Sequence, residues 1–144
     1  MDSSPVRFEV FAETSEGINT CWKSKEDDLE PIKTAISPSF YGPGGGYSPE
    51  GLFGLSVLNC IIGHCKIECE HENQHFKKLE GKISLLVDKD SATSHLFITS
   101  LDIQITIEGC SDKEAVENIL NHVIKKSPIT NSIKSAKTFH FDIS

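Results

Sequence analysis

Apolar and charged residues alternate over Val6-Arg7-Phe8-Glu9-Val10, the two-residue period of a strand with one buried face. Gly17 and the acidic run Glu26-Asp27-Asp28 punctuate the next stretch, and a further strand is expected near Glu30–Ile36. The segment from Ser37 to Tyr47 is rich in Ser, Pro and Gly and reads as a long turn. It feeds a helix, with Ser48 suited to the N-cap, Pro49 to the first helical position and Glu50 to the positive end of the dipole. Leu52–Ile62 is apolar on nearly every side, which predicts a buried helix; beyond Gly63 the same helix turns amphipathic with Lys66, Glu68 and Glu70. Gly51, Gly54 and Gly63 are poor helix formers, so close approach of another element is expected to compensate for them.

Ile83, Leu85 and Val87 alternate with polar residues, as do Leu101, Ile103, Ile105 and Ile107, the cleanest period-two run in the chain. Ser91–Ser94 is the expected turn between these two strands. Ser111-Asp112-Lys113-Glu114 has the form of a capping box with Ser111 at the N-cap. Ala115, Val116, Ile119, Leu120, Val123 and Ile124 then make one helical stripe that Pro128 ends, and Phe139, Phe141 and Ile143 mark a last strand. Strands, buried helix, strands, amphipathic helix and strand, in that order, predict an α+β fold.

Length and charge narrow the classes. A chain of 144 residues suits a single domain, 1–144, and can bury a core without a disulfide or metal scaffold. With 14 Lys and Arg against 21 Asp and Glu the net charge is −7, which disfavours nucleic acid and anionic membranes as partners. Arg7 is the only arginine. Met1–Pro5 carries no basic stretch leading into an apolar one, and Leu52–Ile62 is shorter than a bilayer span, so the expected compartment is the cytoplasm. Five cysteines, an odd number, argue for free thiols: Cys21, Cys60, Cys65, Cys69 and Cys110.

The chemistry concentrates in Ser48–Cys60, where a glycine-rich loop meets an apolar helix and a cysteine stands ten residues after Glu50. A phosphate cradle over Gly42–Gly46 is disfavoured, because no Gly-Lys-Ser/Thr comes after it and no Rossmann strand precedes. The Pro-Glu/Cys spacing resembles that of the OsmC/Ohr family of organic hydroperoxide reductases. The family's second signature, a Cys-Pro ending the second helix, is matched in place by Ser127-Pro128, with Ser127 where the Cys would be. The resemblance runs from about Val6 to Ile143 and implies an OsmC-like fold. In that fold a mixed or antiparallel sheet packs on a long buried central helix and a second amphipathic helix, within an intertwined homodimer that forms the active site at its interface. It also implies two-cysteine peroxidation: a thiolate attacks a hydroperoxide and becomes a sulfenic acid, a second Cys condenses to a disulfide, and an external dithiol reduces it. On these positions Cys60 is the attacking thiolate, and Glu50 orients the cation that activates it.

The chain departs from that pattern twice. Ser127 cannot form a disulfide, and no cation stands at Thr14–Asn19, where the family arginine falls; Lys23 and Lys25 are the nearest substitutes. Within an unbroken helix neither Cys65 nor Cys69 reaches Cys60, because Cys65 points about 140° away and Cys69 lies about 13.5 Å along the axis. Cys21 and Cys110 stay open as resolving thiols, as does an external thiol acting on a one-Cys enzyme. His64, four residues after Cys60, shares its helix face; a protonated imidazole there would favour a thiolate, but a satisfied polar residue is the preferred reading. Cys65/Cys69 and His71/His75 hold soft ligands at four-residue spacing, yet fit no standard zinc motif, so neither a metal nor a cofactor is expected. Two functions are compatible with these residues. One is thiol-dependent reduction of an organic hydroperoxide; the other is a catalytically inactive small-molecule binding or sensing module on the same fold.

Overall fold

The computed structural model describes residues 5–144, packed as two compact units, one up to Phe53 and the other Gly54–Ser144. In the first, β1 (Val10–Glu13), β2 (Trp22–Glu26) and β3 (Ile32–Thr34) make an antiparallel sheet in that order. The alternating segment read as a strand over Val6–Val10 enters the sheet only at Val10, and the strand expected over Glu30–Ile36 shortens to three residues. The cause is visible in the burial. All of β1 is exposed, so no buried face holds the upstream residues in register. Gly17 (φ 113°) turns the chain between β1 and β2 in a backbone region open to glycine. The Ser/Pro/Gly loop contains a 3-10 turn, Pro38–Phe40, and returns to β3 through a bridge between Thr34 and Tyr47. Ser48 then caps helix α1 (Pro49–His71), its Oγ accepting the Gly51 N–H at 3.0 Å.

The second unit carries the main core. β4 (Lys78–Lys89), β5 (Leu96–Glu108) and β6 (Ala136–Ile143) form a mixed sheet in that order, with β4 antiparallel and β6 parallel to the central β5. Leu101, Ile103, Ile105 and Ile107 are buried on one face, and the register sets Leu79, Ile83, Leu85, Phe139, Phe141 and Ile143 beside them. The opposite face is polar and includes an exposed Asp102–His140 pair at 2.9 Å.

Helix α1 lies on the apolar face: a Cβ added at Gly54 would sit 3.2 Å from Leu85 Cδ2, and one at Gly81 would meet Leu58 and Ile105. Close approach therefore accounts for Gly54, whereas nothing lies within 4 Å of the corresponding point at Gly63. The helix is buried along a single stripe, Gly54, Val57, Ile61, Cys65 and Cys69, with Leu55 and Ile67 exposed. The expectation of burial on all sides is thus met on one side only within the chain. By length and composition alone α1 could cross a bilayer, with a mean hydropathy of 1.3 over its most apolar 18-residue window.

Helix α2 (Lys113–Lys126) buries Val116, Ile119, Leu120 and Val123 as its stripe predicts, with Ala115 and Ile124 at the margins. Its N-cap is Asp112, whose carboxylate accepts the Ala115 N–H at 3.2 Å, not Ser111. Ser111 is drawn into a tertiary contact instead, accepting the His75 N–H at 2.9 Å and donating to Gln74 Oε1 at 3.0 Å. After Ser127 the short helix α3 (Pro128–Asn131) leads to β6.

Candidate functional site: Cys60 and Ser127

Cys60 is half-buried on α1, one residue before the buried Ile61 and off the line of the core stripe. That position leaves its sulfur at the margin of the core. Ser127 comes to it from the other end of the unit, at the junction of α2 and α3. The Ser127 N–H closes α2 on the Val123 carbonyl at 2.9 Å, and its carbonyl accepts the Asn131 N–H that opens α3. Pro128 holds Ser127 extended (φ −65°, ψ 118°), as a succeeding proline requires. In this conformation the hydroxyl caps neither helix. Ser127 is 0 % exposed, so its hydroxyl needs an internal partner. It finds one in Cys60: Ser127 Oγ donates to Cys60 Sγ at 2.7 Å, bridging 67 positions of sequence.

A hydroxyl aimed at sulfur binds an anion more strongly than a neutral thiol. The donor that meets the Cys60 sulfur here is a neutral hydroxyl and not a cation. Three residues beyond Ser127, Thr130 is also buried, and its Oγ1 has no hydrogen-bond partner. The sequence marked Ser127-Pro128 by place; the orphaned Thr130 hydroxyl left no sequence signal.

The other sequence-derived residues fall elsewhere. Glu50 is half-buried in the first turn of α1, where its charge complements the helix dipole. Arg7 is exposed and outside any strand. Lys23 and Lys25 lie on β2, with Lys25 Nζ 5.9 Å from the centre of the Phe11 ring. His64 is half-buried on α1. Cys21 is half-buried in the first unit, its thiol 4.0 Å from the Gly44 carbonyl.

Cys65 and Cys69 are buried with their sulfurs 4.0 Å apart. Burial, with Cys69 and Cys110 nearby, pushes the Cys65 thiol up to about 12. Cys69 and Cys110 are also raised, chiefly by burial. Among the described residues no three His, Cys, Asp or Glu side chains are grouped to hold a metal ion, so the His71 and His75 pair does not join Cys65 and Cys69 in such a set.

A family model described as OsmC-like protein matches residues 42–142. The chain belongs to the OsmC-like family. Solved structures share its fold at low sequence identity. An OsmC-like protein of Vibrio cholerae superposes with a TM-score of 0.82 at 12 % identity, covering 95 % of this chain and 99 % of that one. An organic hydroperoxide resistance protein of Legionella pneumophila gives 0.71 at 16 %, covering 97 % and 99 %. The organic hydroperoxide resistance protein OhrB of Bacillus subtilis gives 0.67 at 18 %, covering 96 % and 98 %. No curated protein matches the chain by sequence. Membership in the family accords with the α+β architecture.

Proposed function

We propose that this OsmC-like protein reduces organic hydroperoxides by a one-Cys mechanism in which Cys60 is the peroxidatic thiolate. The observation that carries this reading is the hydrogen bond from the buried Ser127 hydroxyl to the Cys60 sulfur. The residue at the resolving-cysteine position touches the nucleophile, as a resolving residue must, but can only donate a proton to it. The thiolate attacks one peroxide oxygen, the O–O bond breaks, and the departing alkoxide takes a proton to leave as the alcohol. Cys60 is then a sulfenic acid. Ser127 has no sulfur to displace its hydroxyl, so an external thiol condenses with it, releasing water and leaving a mixed disulfide. A second external thiol attacks the external sulfur of that disulfide, Cys60 leaves as the free thiolate, and the two external thiols depart joined as a disulfide.

The functional form proposed is a homodimer. Val6, Phe8, Val10, Phe11 and Ile18 are between 53 % and 75 % exposed in the single chain. So many uncovered apolar side chains in one small unit call for a covering surface. The fully exposed β1 and the one-sided burial of α1 support the same reading. Five free thiols fit a reducing compartment, the cytoplasm.

A second reading keeps the fold and drops the turnover: a binding or sensing module. It is favoured by the neutral donor at Cys60 and by the position of Arg7, the sole arginine, exposed and outside the sheet. Consumption of an organic hydroperoxide with a monothiol or a dithiol as reductant separates the two. Turnover by the intact chain and its loss in Cys60→Ser supports the enzyme. A chain that consumes no hydroperoxide with either reductant is the binding module.

A further inference from the structure

We infer that Cys65 and Cys69 form a second thiol centre, a preformed dithiol that chelates a trivalent arsenical. The two side chains leave the same face of α1 four residues apart, with their sulfurs at 4.0 Å and no bond between them. A straight helix fixes their Cα atoms at about 6.2 Å, from its 1.5 Å rise and 2.3 Å radius. A direct disulfide asks the sulfurs to close to about 2.05 Å, against parallel side-chain directions. One bridging atom with two bonds to sulfur asks for far less movement. Cys69 borders a cavity of about 300 Å³ together with Lys66, Glu70, Gln74 and His75, and Cys65 lies fully buried behind it, so a ligand enters past Cys69. Loop hydrogen bonds hold that mouth in shape, Gln74 N–H to the Cys69 carbonyl at 2.8 Å and Ser111 Oγ to Gln74 Oε1 at 3.0 Å.

The chemistry selects the ligand. Buried thiols at this centre stay protonated at neutral pH, which makes them poor nucleophiles toward peroxides. Condensation with a trivalent arsenic hydroxide needs no thiolate and no redox partner. Two S–H bonds and two As–OH bonds break, two As–S bonds form, and two waters leave. Arsenic stays trivalent and keeps its third substituent. A zinc ion wants four ligands, and no third His, Cys, Asp or Glu among the described residues joins this pair in a metal-holding group.

The test titrates the full-length protein with phenylarsine oxide and follows it by native mass spectrometry. After treatment the protein is denatured, alkylated and mapped by peptide. One phenylarsenic adduct is expected per chain, with Cys65 and Cys69 protected together while Cys21, Cys60 and Cys110 alkylate fully. A small dithiol should strip the adduct and a monothiol at the same thiol concentration should not. Cys65→Ala and Cys69→Ala should each lose the adduct, and Cys60→Ser should keep it. The mapping uses the unmodified protein, so it decides the matter even where a core variant fails to fold. Absence of an adduct, or protection of any pair other than Cys65 and Cys69, overturns the proposal.

Discussion

Substituting Ser127→Cys exchanges the oxygen that touches Cys60 for a sulfur. The Ser127 Oγ to Cys60 Sγ separation is 2.7 Å, so a covalent bond of about 2.05 Å needs a closure of about 0.65 Å. Ser127 lies at the junction of two helices, where a side-chain rotation can supply that movement. The bond would close a loop across 67 positions. Loop-closure entropy for that length gives about 4 kcal/mol of stabilisation over the reduced variant, an upper figure from which native strain subtracts. The experiment treats the variant with one equivalent of an organic hydroperoxide, counts free thiols, maps the disulfide, and compares urea unfolding with and without reductant. Loss of two thiols per chain is expected, with a Cys60-linked peptide and an unfolding free energy raised by about 2–4 kcal/mol on oxidation. Turnover should also come to prefer dithiols over monothiols, because the intermediate is now an internal disulfide. A variant that never crosslinks under oxidants, or that crosslinks with lower stability, contradicts the placement of Ser127 against Cys60.

The same geometry sets other outcomes. Ser127→Ala removes the hydroxyl donor from the sulfur, and urea unfolding should lose about 1 kcal/mol of stability. Unchanged stability would mean that the contact carries no net free energy. Thr130→Val replaces a buried hydroxyl that has no partner with a methyl group, and should raise stability by about 1 kcal/mol in urea unfolding. The raised Cys65 thiol has a directional consequence. Its ionisation moves from the ordinary 9.0 to about 12 on folding, so the unfolded chain releases the proton first and stability declines as pH rises through that window. Urea midpoints across that range should fall less steeply in Cys65→Ala than in the parent. Light scattering coupled to gel filtration should give twice the chain mass of 15.9 kDa, and a monomer would leave the apolar side chains of the first unit unexplained.

How much was legible from sequence depends on where burial happens. The alternation at Leu101, Ile103, Ile105 and Ile107 predicted a strand with one buried face, and all four are at most 1 % exposed. The stripe on α2 predicted Val116, Ile119, Leu120 and Val123 in the same way. Both elements lie against the core of their own unit, so their patterns are complete within the chain. The first sheet offered no such signal: β1 reads Val-Phe-Ala-Glu and is exposed throughout, so its period carries no information about register. Helix α1 misled in the opposite direction, being apolar on sides that the chain itself does not cover. The capping box failed because Ser111 has a better use, tying the α1–β4 connection to the start of α2. For the proposed site, the resemblance to the OsmC/Ohr pattern singled out Cys60 and Ser127, but that their side chains meet is a property of packing between α1 and the α2–α3 junction, which no local pattern encodes.

If Cys60 is the peroxidatic thiolate, its sulfur carries the oxygen taken from the hydroperoxide, and trapping that oxidised form is the decisive experiment. The reduced protein is exposed to a stoichiometric organic hydroperoxide in the presence of dimedone and mapped by peptide mass spectrometry. A dimedone adduct is expected on Cys60, with an equivalent of alcohol released and Cys65 and Cys69 unlabelled. A Cys60 that remains a free thiol while the hydroperoxide persists rules the peroxidase mechanism out.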